Sequence, residues 1–158
     1  MSEKERFLKY LDDNQVRYTL ISHARVFTSQ QVAGATHVPG KELAKTVIVK
    51  IDDAFAMAVL PAPRKVNLKM LKAVTGAKEV RLATEEEMEK LMPACEVGAM
   101  PPFGNLYNLP VYVEKSLTED AEIVFNACTH TDSVRMAYSD FERLVHPSVA
   151  EFTESPAV

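Results

Sequence analysis

The stretch Leu43-Ala44-Lys45-Thr46-Val47-Ile48-Val49-Lys50 decides the fold of this 158-residue chain. Its β-branched residues predict a strand, and because apolar side chains follow one another without alternation, both faces of that strand are expected to be buried. Lys45 stands at the head of the run. A buried strand seldom begins beside an ammonium group unless that group reaches water or has a chemical role. The segment therefore predicts both a core strand and a candidate functional lysine.

A second strand is expected over residues 55–60, joined to the first by the turn Asp52-Asp53-Ala54. Phe55, Met57 and Val59 alternate with alanines there, so one face of the strand is bulky and the other is small. The small face suits close packing by a helix or by a ligand.

Capping residues and helical spacing predict the remaining elements. Helices are expected over residues 3–13 behind Ser2, from Thr28 or Ser29 through Ala33, from Asn67 to Gly76, from Thr84 to Pro93, and after Ser139. Further strands are expected over residues 17–22, 80–83, 109–114, 122–127 and 133–138, with a turn over residues 37–40. This order mixes hairpin-like strand pairs with helices, which favours an α+β fold with a mixed sheet flanked by helices.

Length and composition bound the domain organisation. With 158 residues, 47% of them hydrophobic, the chain can bury one core and is about the size of one domain. We expect residues 1–146 to form that domain and residues 147–158 to be a frayed C-terminal tail. The first residues are charged, and no signal-peptide core or membrane-spanning run is found. A soluble, cytoplasmic protein without a membrane partner is therefore expected.

Cysteine and histidine usage argues against disulfides, metals and nucleotide cofactors. The two cysteines, Cys95 and Cys128, are expected to be free thiols. Neither they nor the four histidines show the paired spacing of metal ligands, so no metal is expected. A Walker loop and a GxGxxG motif are also missing, and the sequence predicts no cofactor.

Charge is distributed unevenly along the chain. The net charge is -4, yet residues 41–81 hold nine lysines and arginines against four acidic residues, which gives this segment +5 and the remainder -9. Phosphate neutralisation supplies much of the affinity for nucleic acids, so a local basic face can bind an RNA end even on an acidic protein. The alternative interpretation is a solvated helix face.

Two later segments carry further candidate groups. In residues 98–104, Gly-Ala-Met-Pro-Pro-Phe-Gly, the two prolines fix their own φ angles and restrict Met100, which predicts a stiff loop with peptide groups in one geometry. Such a loop suits an oxyanion hole or an ester cradle, although a tight loop with Phe103 in the core is the simpler interpretation. Residues 128–133, Cys-Thr-His-Thr-Asp-Ser, gather polar and reactive side chains between two apolar runs.

In this order and at these separations, the three segments resemble the YbaK/ProRS-associated family of aminoacyl-tRNA editing domains. The resemblance extends through Val59-Leu60-Pro61-Ala62, Asn67-Leu68-Lys69 and Phe141-Glu142-Arg143-Leu144. It implies a single α+β domain with a strongly curved mixed sheet. It also implies a free-standing deacylase that hydrolyses the ester of a mischarged tRNA, with tRNA(Pro) as the analogous substrate and an aminoacyl-tRNA synthetase as a further partner.

The resemblance assigns roles to individual residues. Lys45 matches the lysine on which the family's activity most depends, and which positions the ester carbonyl or the terminal phosphate. Gly98 aligns with the glycine that lines the aminoacyl pocket. The rest of the pocket is expected to include Ala99, Met100, Pro101, Cys128 and His130, and tRNA is expected to contact Lys50, Arg64, Lys65 and Lys69.

Cys128 departs from the family pattern, because many relatives have glycine there. If the preceding strand continued through it, Cys128 and His130 would point to the same side, which suggests a thiol–imidazole dyad as a rival mechanism. The alternative is a small packing residue that shapes the pocket. Two other functions stay open at this point: a non-catalytic module that binds tRNA or a synthetase, and a cysteine hydrolase unrelated to tRNA.

Overall fold

The computed structural model describes residues 2–23 and 42–154, and within them it forms an α+β fold. The segment quoted at the outset is strand β2, Ala44–Ile51, and it pairs along its full length with the antiparallel strand β3, Ala54–Pro61. Ile48 packs into one buried cluster and Val49 into another, on opposite faces of β2. The prediction of a strand buried on both faces is therefore confirmed.

The other strands extend this hairpin and add two smaller sheets. They are β1 (Tyr18–Ser22), β4 (Lys65–Val66), β5 (Val80–Leu82), β6 (Val111–Glu114), β7 (Glu122–Asn126), β8 (Asp132–Ala137), β9 (Ser148–Ala150) and β10 (Thr153–Glu154). The main sheet has the order β5-β2-β3-β6-β9. Its β3–β6 and β6–β9 pairs are parallel and the others are antiparallel, so the predicted mixed sheet is confirmed. Strands β1, β8 and β7 form a second sheet, and β4 pairs with β10.

Four α-helices lie within the described residues: α1 (Glu3–Asp13), α2 (Leu68–Thr75), α3 (Glu85–Leu91) and α4 (Tyr138–Val145). Thr84 and Glu87 form the expected capping box, and Ser2, expected as an N-cap, also forms a capping box with Glu5. The predicted cap by Ser139 is wrong, because α4 begins one residue earlier and Ala137 precedes it without a side-chain cap. The helix expected near residues 28–33 and the turn over residues 37–40 lie outside the described residues.

The larger buried cluster is built around the ring of Phe103. Its centroid lies 5.0 Å from that of Phe7, 5.8 Å from Phe125 and 5.6 Å from Phe141. Phe103 belongs to the loop that follows Gly98, so the aromatic cluster holds that loop to α1, β7 and α4. Edge-to-face rings add about 0.5–1.5 kcal/mol per pair beyond burial.

The smaller cluster covers the alanine face of β3. Ala56, Ala58 and Leu60 pack there against Leu71 of α2 and against Phe152. A helix and a C-terminal side chain therefore occupy the small face. Within α2, Leu71 is fully buried, whereas Val74 is 45% exposed.

The prediction of a frayed tail after residue 146 is wrong for residues 148–154. Strand β9 adds to the main sheet beside β6, and Phe152 is 0% exposed. The N–H of Phe152 donates to the Glu114 carboxylate at 2.7 Å, and its carbonyl accepts from the N–H of Asn67 at 2.7 Å. The short segment lacks a strong strand pattern of its own, and its order comes from contacts with residues distant in sequence. None of the helices described is long and apolar enough to cross a membrane.

Phe152→Ala should lower the free energy of unfolding by about 3–5 kcal/mol, because it empties a fully buried aromatic site. Urea denaturation would measure the change. Val149→Ala is the matched control: Val149 lies three residues away and is 51% exposed, so its substitution should cost no more than about 0.5 kcal/mol. Equal losses for both variants would contradict the packing described for the C-terminal segment.

Candidate active site

Lys45 lies one residue inside the start of β2, directly opposite Leu60 of β3. Because side chains alternate along a strand, it shares its face with Val47 and Val49, on the side of the smaller cluster. The side chain is half-buried, and within the described residues it makes no hydrogen bond or ion pair. Burial lowers the pKa of its ammonium group, and the positive charge of Lys65 lowers it further. Among the described residues, Lys45 is thus a partly desolvated cation without a counter-ion.

The loop around Gly98 and the turn after β7 are joined by several hydrogen bonds. The Cys128 N–H donates to the Ala99 carbonyl at 2.8 Å, and the Glu96 N–H donates to the Cys128 carbonyl at 2.9 Å. The His130 N–H donates to the Glu96 carboxylate at 2.9 Å. His130 Nε2 lies 2.9 Å from the Val97 carbonyl, and since a carbonyl oxygen only accepts, Nε2 carries a proton. The two segments therefore form one rigid unit.

Gly98 has a φ of +85°, in the left-handed region that L-residues with side chains avoid. It is exposed, and a β-carbon built on it would lie 3.6 Å from Cε1 of His130. Glycine at this position therefore keeps open the space beside the imidazole ring. The other residues predicted to form the pocket, Ala99, Met100 and Pro101, are buried and pack behind Gly98.

Cys128 also has a left-handed backbone, with a φ of +72°. Strand β7 ends at Asn126, so the alternation argument that placed Cys128 and His130 on one side does not apply. The thiol of Cys128 contacts the thiol of Cys95, at an Sγ–Sγ distance of 2.7 Å. This contact and the burial of the side chain both raise the pKa of the Cys128 thiol. The structure thus gives no support to the Cys128–His130 dyad. The left-handed φ also explains why glycine suits this position.

The structure brings Gly98, Cys128 and His130 together and leaves Lys45 on β2 without a hydrogen bond or ion pair to them among the described residues. The residues predicted to contact tRNA also differ in their surroundings. Lys65 and Lys69 are exposed, and Lys65 is the charge that acts on Lys45. Arg64 instead donates to Thr153 at 3.2 Å and lies 3.9 Å from the Glu114 carboxylate.

Lys50 belongs to a different surface from Lys45. It lies five residues further along β2, roughly 17 Å away at 3.4 Å per residue, and on the opposite face. Its ammonium group sits 5.7 Å from the centroid of the Phe55 ring, and its cross-strand neighbours are Phe55 and Arg81. The basic residues described between positions 45 and 81 therefore do not form one continuous patch.

Two carboxylates that fix the turn were missed by the sequence analysis. Glu96 accepts the His130 N–H, and the buried Asp132 accepts from Thr129, Thr131 and Ser22. Burial alone would raise the pKa of Asp132, but these hydrogen bonds and the Lys4 ammonium group at 3.5 Å hold it below its usual range. The run Thr-His-Thr-Asp was the available signal for Asp132, since short polar side chains around an acid favour a hydrogen-bonded turn. Within the described residues, no group of three or more potential ligands could hold a metal ion.

The aminoacyl-tRNA editing domain family matches residues 23–144, which include Lys45, Gly98 and the Cys128–Asp132 turn. The chain belongs to this family. The resemblance drawn from the sequence is therefore confirmed, and so is the assignment to the deacylase class of enzymes.

Relatives of this editing domain occur both as free-standing proteins and inside a synthetase. The chain is 25% identical over 153 residues to the Multifunctional Ser/Thr-tRNA deacylase ProXp-y of Escherichia coli (strain K12), covering 94% of this chain and 91% of that protein. It is 40% identical over 99 residues to Proline--tRNA ligase of Sulfurihydrogenibium sp. (strain YO3AOP1), covering 62% of this chain but only 17% of the ligase. A crystal structure of a candidate trans-editing enzyme for prolyl tRNA synthetase has the same fold, with a TM-score of 0.84 at 19% identity over 98% of this chain and 99% of that one.

Cys128→Gly should leave the editing domain about 1 kcal/mol more stable than Cys128→Ala. Both variants remove the thiol, but only glycine relieves the left-handed backbone, whose cost for other residues is about 1–2 kcal/mol. Chemical denaturation of the two variants side by side would measure the difference. A Cys128→Ala protein as stable as Cys128→Gly would show that the left-handed geometry at this position carries no strain.

Proposed function

We propose that this protein is a trans-acting deacylase that hydrolyses the ester bond of mischarged aminoacyl-tRNA, with tRNA(Pro) as the nucleic acid. Membership of the editing family supports the reaction class. The free-standing relative named as a Ser/Thr-tRNA deacylase supports action in trans, and the matching segment of a proline–tRNA ligase supports tRNA(Pro). A synthetase pocket excludes smaller or near-isosteric amino acids by only about a hundredfold, so a second site must remove the errors.

The observation that carries this proposal is the state of Lys45. Its ammonium group is half-buried and lacks a counter-ion in the described structure, so it can meet an anion from outside. Ester hydrolysis develops negative charge on the carbonyl oxygen, and the tRNA end brings a phosphate. Either anion would raise the depressed pKa of Lys45 and hold the group in its charged form. Lys45 then positions the carbonyl or the terminal phosphate, and it does not act as the nucleophile.

The unit formed by the Gly98 loop and the His130 turn is proposed to hold the aminoacyl group. Gly98 leaves space beside the imidazole of His130. The Val97 carbonyl holds that ring, and the Glu96 carboxylate holds the main-chain N–H of His130. Ala99, Met100, Pro101 and Cys128 form the buried wall that sets the size of the space. Lys65 and Lys69 are exposed and available to tRNA phosphates, whereas Arg64 already has internal partners.

The proposal is tested by incubating the protein with tRNA(Pro) charged with alanine, serine, threonine, cysteine or proline, and measuring release of each amino acid. We expect hydrolysis of at least one non-cognate ester and sparing of prolyl-tRNA(Pro). Binding of tRNA without release of any amino acid would support the non-catalytic module. Hydrolysis of simple esters that is lost on thiol alkylation would support the cysteine hydrolase.

Lys45→Ala should reduce the single-turnover deacylation rate by about 10²- to 10³-fold, because it removes a charge that stabilises the transition state. Stability should stay constant or rise, since the variant no longer desolvates an unpaired ammonium group. Lys45→Arg should not restore the rate, because a planar guanidinium does not replace a compact ammonium group.

Lys50→Ala is the matched control for Lys45. It removes a lysine from the same strand but from the other face, so the chemical step should be unaffected at saturating protein. A Lys45→Ala protein that hydrolysed its substrate at the wild-type rate would refute the role assigned to this lysine.

Gly98→Ala should slow deacylation of bulky aminoacyl groups before small ones, because the new methyl group enters the space beside His130. Valine is a poorer test, since a β-branched residue at this φ would distort the loop. Gly76→Ala supplies the control: Gly76 has a similar φ of +69° but open space around it, so both variants should lose about 1–2 kcal/mol of stability. Rates for seryl and threonyl esters, set against melting curves, separate the effects. Equal rate losses in both variants would show that Gly98 is needed only for its backbone conformation.

A further inference from the structure

The two cysteines of the chain are 33 positions apart in sequence and lie in direct contact. Their sulfur atoms are 2.7 Å apart, and both side chains are free thiols. Cys95 is 8% exposed and Cys128 is 2% exposed. Neither thiol is needed for the chemistry assigned to Lys45, so the contact calls for its own explanation. We propose that Cys95 and Cys128 are a redox pair that hydroperoxides convert into an intramolecular disulfide.

The surroundings of the two sulfurs assign them different roles. Cys95 lies in the wall of a surface pocket of about 280 Å³, together with Glu3, Arg6 and Tyr107, so a small oxidant can reach it. Cys128 lies behind Cys95 and away from that pocket. Contact with the Cys128 thiol lowers the pKa of the Cys95 thiol. Cys95 is therefore the attacking thiolate and Cys128 the resolving thiol.

The reaction balances with hydrogen peroxide as the oxidant. The Cys95 thiolate attacks one peroxide oxygen, the O–O bond breaks, and the leaving hydroxide takes up a proton to become water. Cys95 is now a sulfenic acid. The Cys128 sulfur attacks the Cys95 sulfur, the S–O bond breaks, and a second water leaves with the proton of the Cys128 thiol. The two sulfurs have together lost two electrons, and the peroxide has been reduced to two waters.

A disulfide at this point would act on the unit that holds Gly98 and His130. Cys128 is hydrogen-bonded through its main chain to Ala99 and Glu96, and Glu96 in turn holds His130. A disulfide requires a sulfur separation near 2.05 Å, so its formation draws the two segments together. The following step rests on the proposed function. The shift narrows the space for the aminoacyl group and slows deacylation by about tenfold or more, since a small misplacement of the substrate lowers the reaction rate strongly.

The chemistry is tested on the full chain with hydrogen peroxide, intact mass and thiol counts under denaturing conditions, none of which depends on deacylation. Wild type should lose 2 Da and both thiols, and dithiothreitol should restore them. The oxidised form should melt about 5–10 °C higher, because a loop of some 30 residues is closed. Cys128→Ala should gain oxygen at Cys95 in place of losing 2 Da, because its resolving thiol is gone, and Cys95→Ala should resist oxidation at Cys128.

Three other results of these experiments would each contradict a different part of the proposal. Wild type that keeps both thiols, or that gains oxygen without losing 2 Da, would overturn the redox pair. Disulfide formation that leaves the deacylation rate unchanged would overturn the regulatory role alone. Disulfide formation in a protein that hydrolyses none of the charged tRNAs would leave the redox pair standing and overturn the proposed function, so the two failures are distinguishable.

Discussion

The antiparallel pairing of β2 with β3, buried on both faces, is the constraint on which the rest of the structure depends. One face of the hairpin receives the aromatic cluster around Phe103, and the other receives Leu71 and Phe152. Each face is completed by elements remote in sequence, so neither cluster forms without the hairpin between them. The same pairing places Lys45 opposite Leu60, at the end of the hairpin away from its turn. The position of the candidate functional lysine is thus a product of the fold's central interaction.

Local features of this chain could be predicted from sequence because their causes are local. The capping residues Ser2 and Thr84 mark the starts of two helices, and the unbroken apolar run over residues 47–49 predicts the buried strand. The stiff segment after Gly98 followed from two prolines. Lys45 was identified by its conflict with its neighbours, since a charge at the head of a buried strand is costly unless it has a use.

Features that depend on contacts between residues distant in sequence could not be predicted from the sequence. Phe152 is ordered by Glu114 and Asn67, and the Cys95–Cys128 contact joins segments that share no sequence signal. Strand alternation would have placed Cys128 and His130 on the same side. Cys128 instead has a left-handed φ and lies outside the strand, so it does not follow strand periodicity. The basic residues that are close in sequence also do not lie on one surface. Lys45 and Lys50 lie on opposite faces of one strand, and Arg64 already serves the C-terminal segment.

That Lys45 has no counter-ion in the described part of the chain has a consequence for how such proteins evolve. A half-buried ammonium group without a counter-ion makes the ligand-free fold less stable than an apolar residue at the same position would. Natural selection for stability alone would therefore remove this lysine, and only selection for its chemistry would keep it. In lineages where editing is no longer required, position 45 should drift toward apolar residues while the apolar run that follows it persists. Under the role proposed for Lys45, the residue at this position would indicate whether a homologous chain still deacylates tRNA, independently of how well its fold is retained.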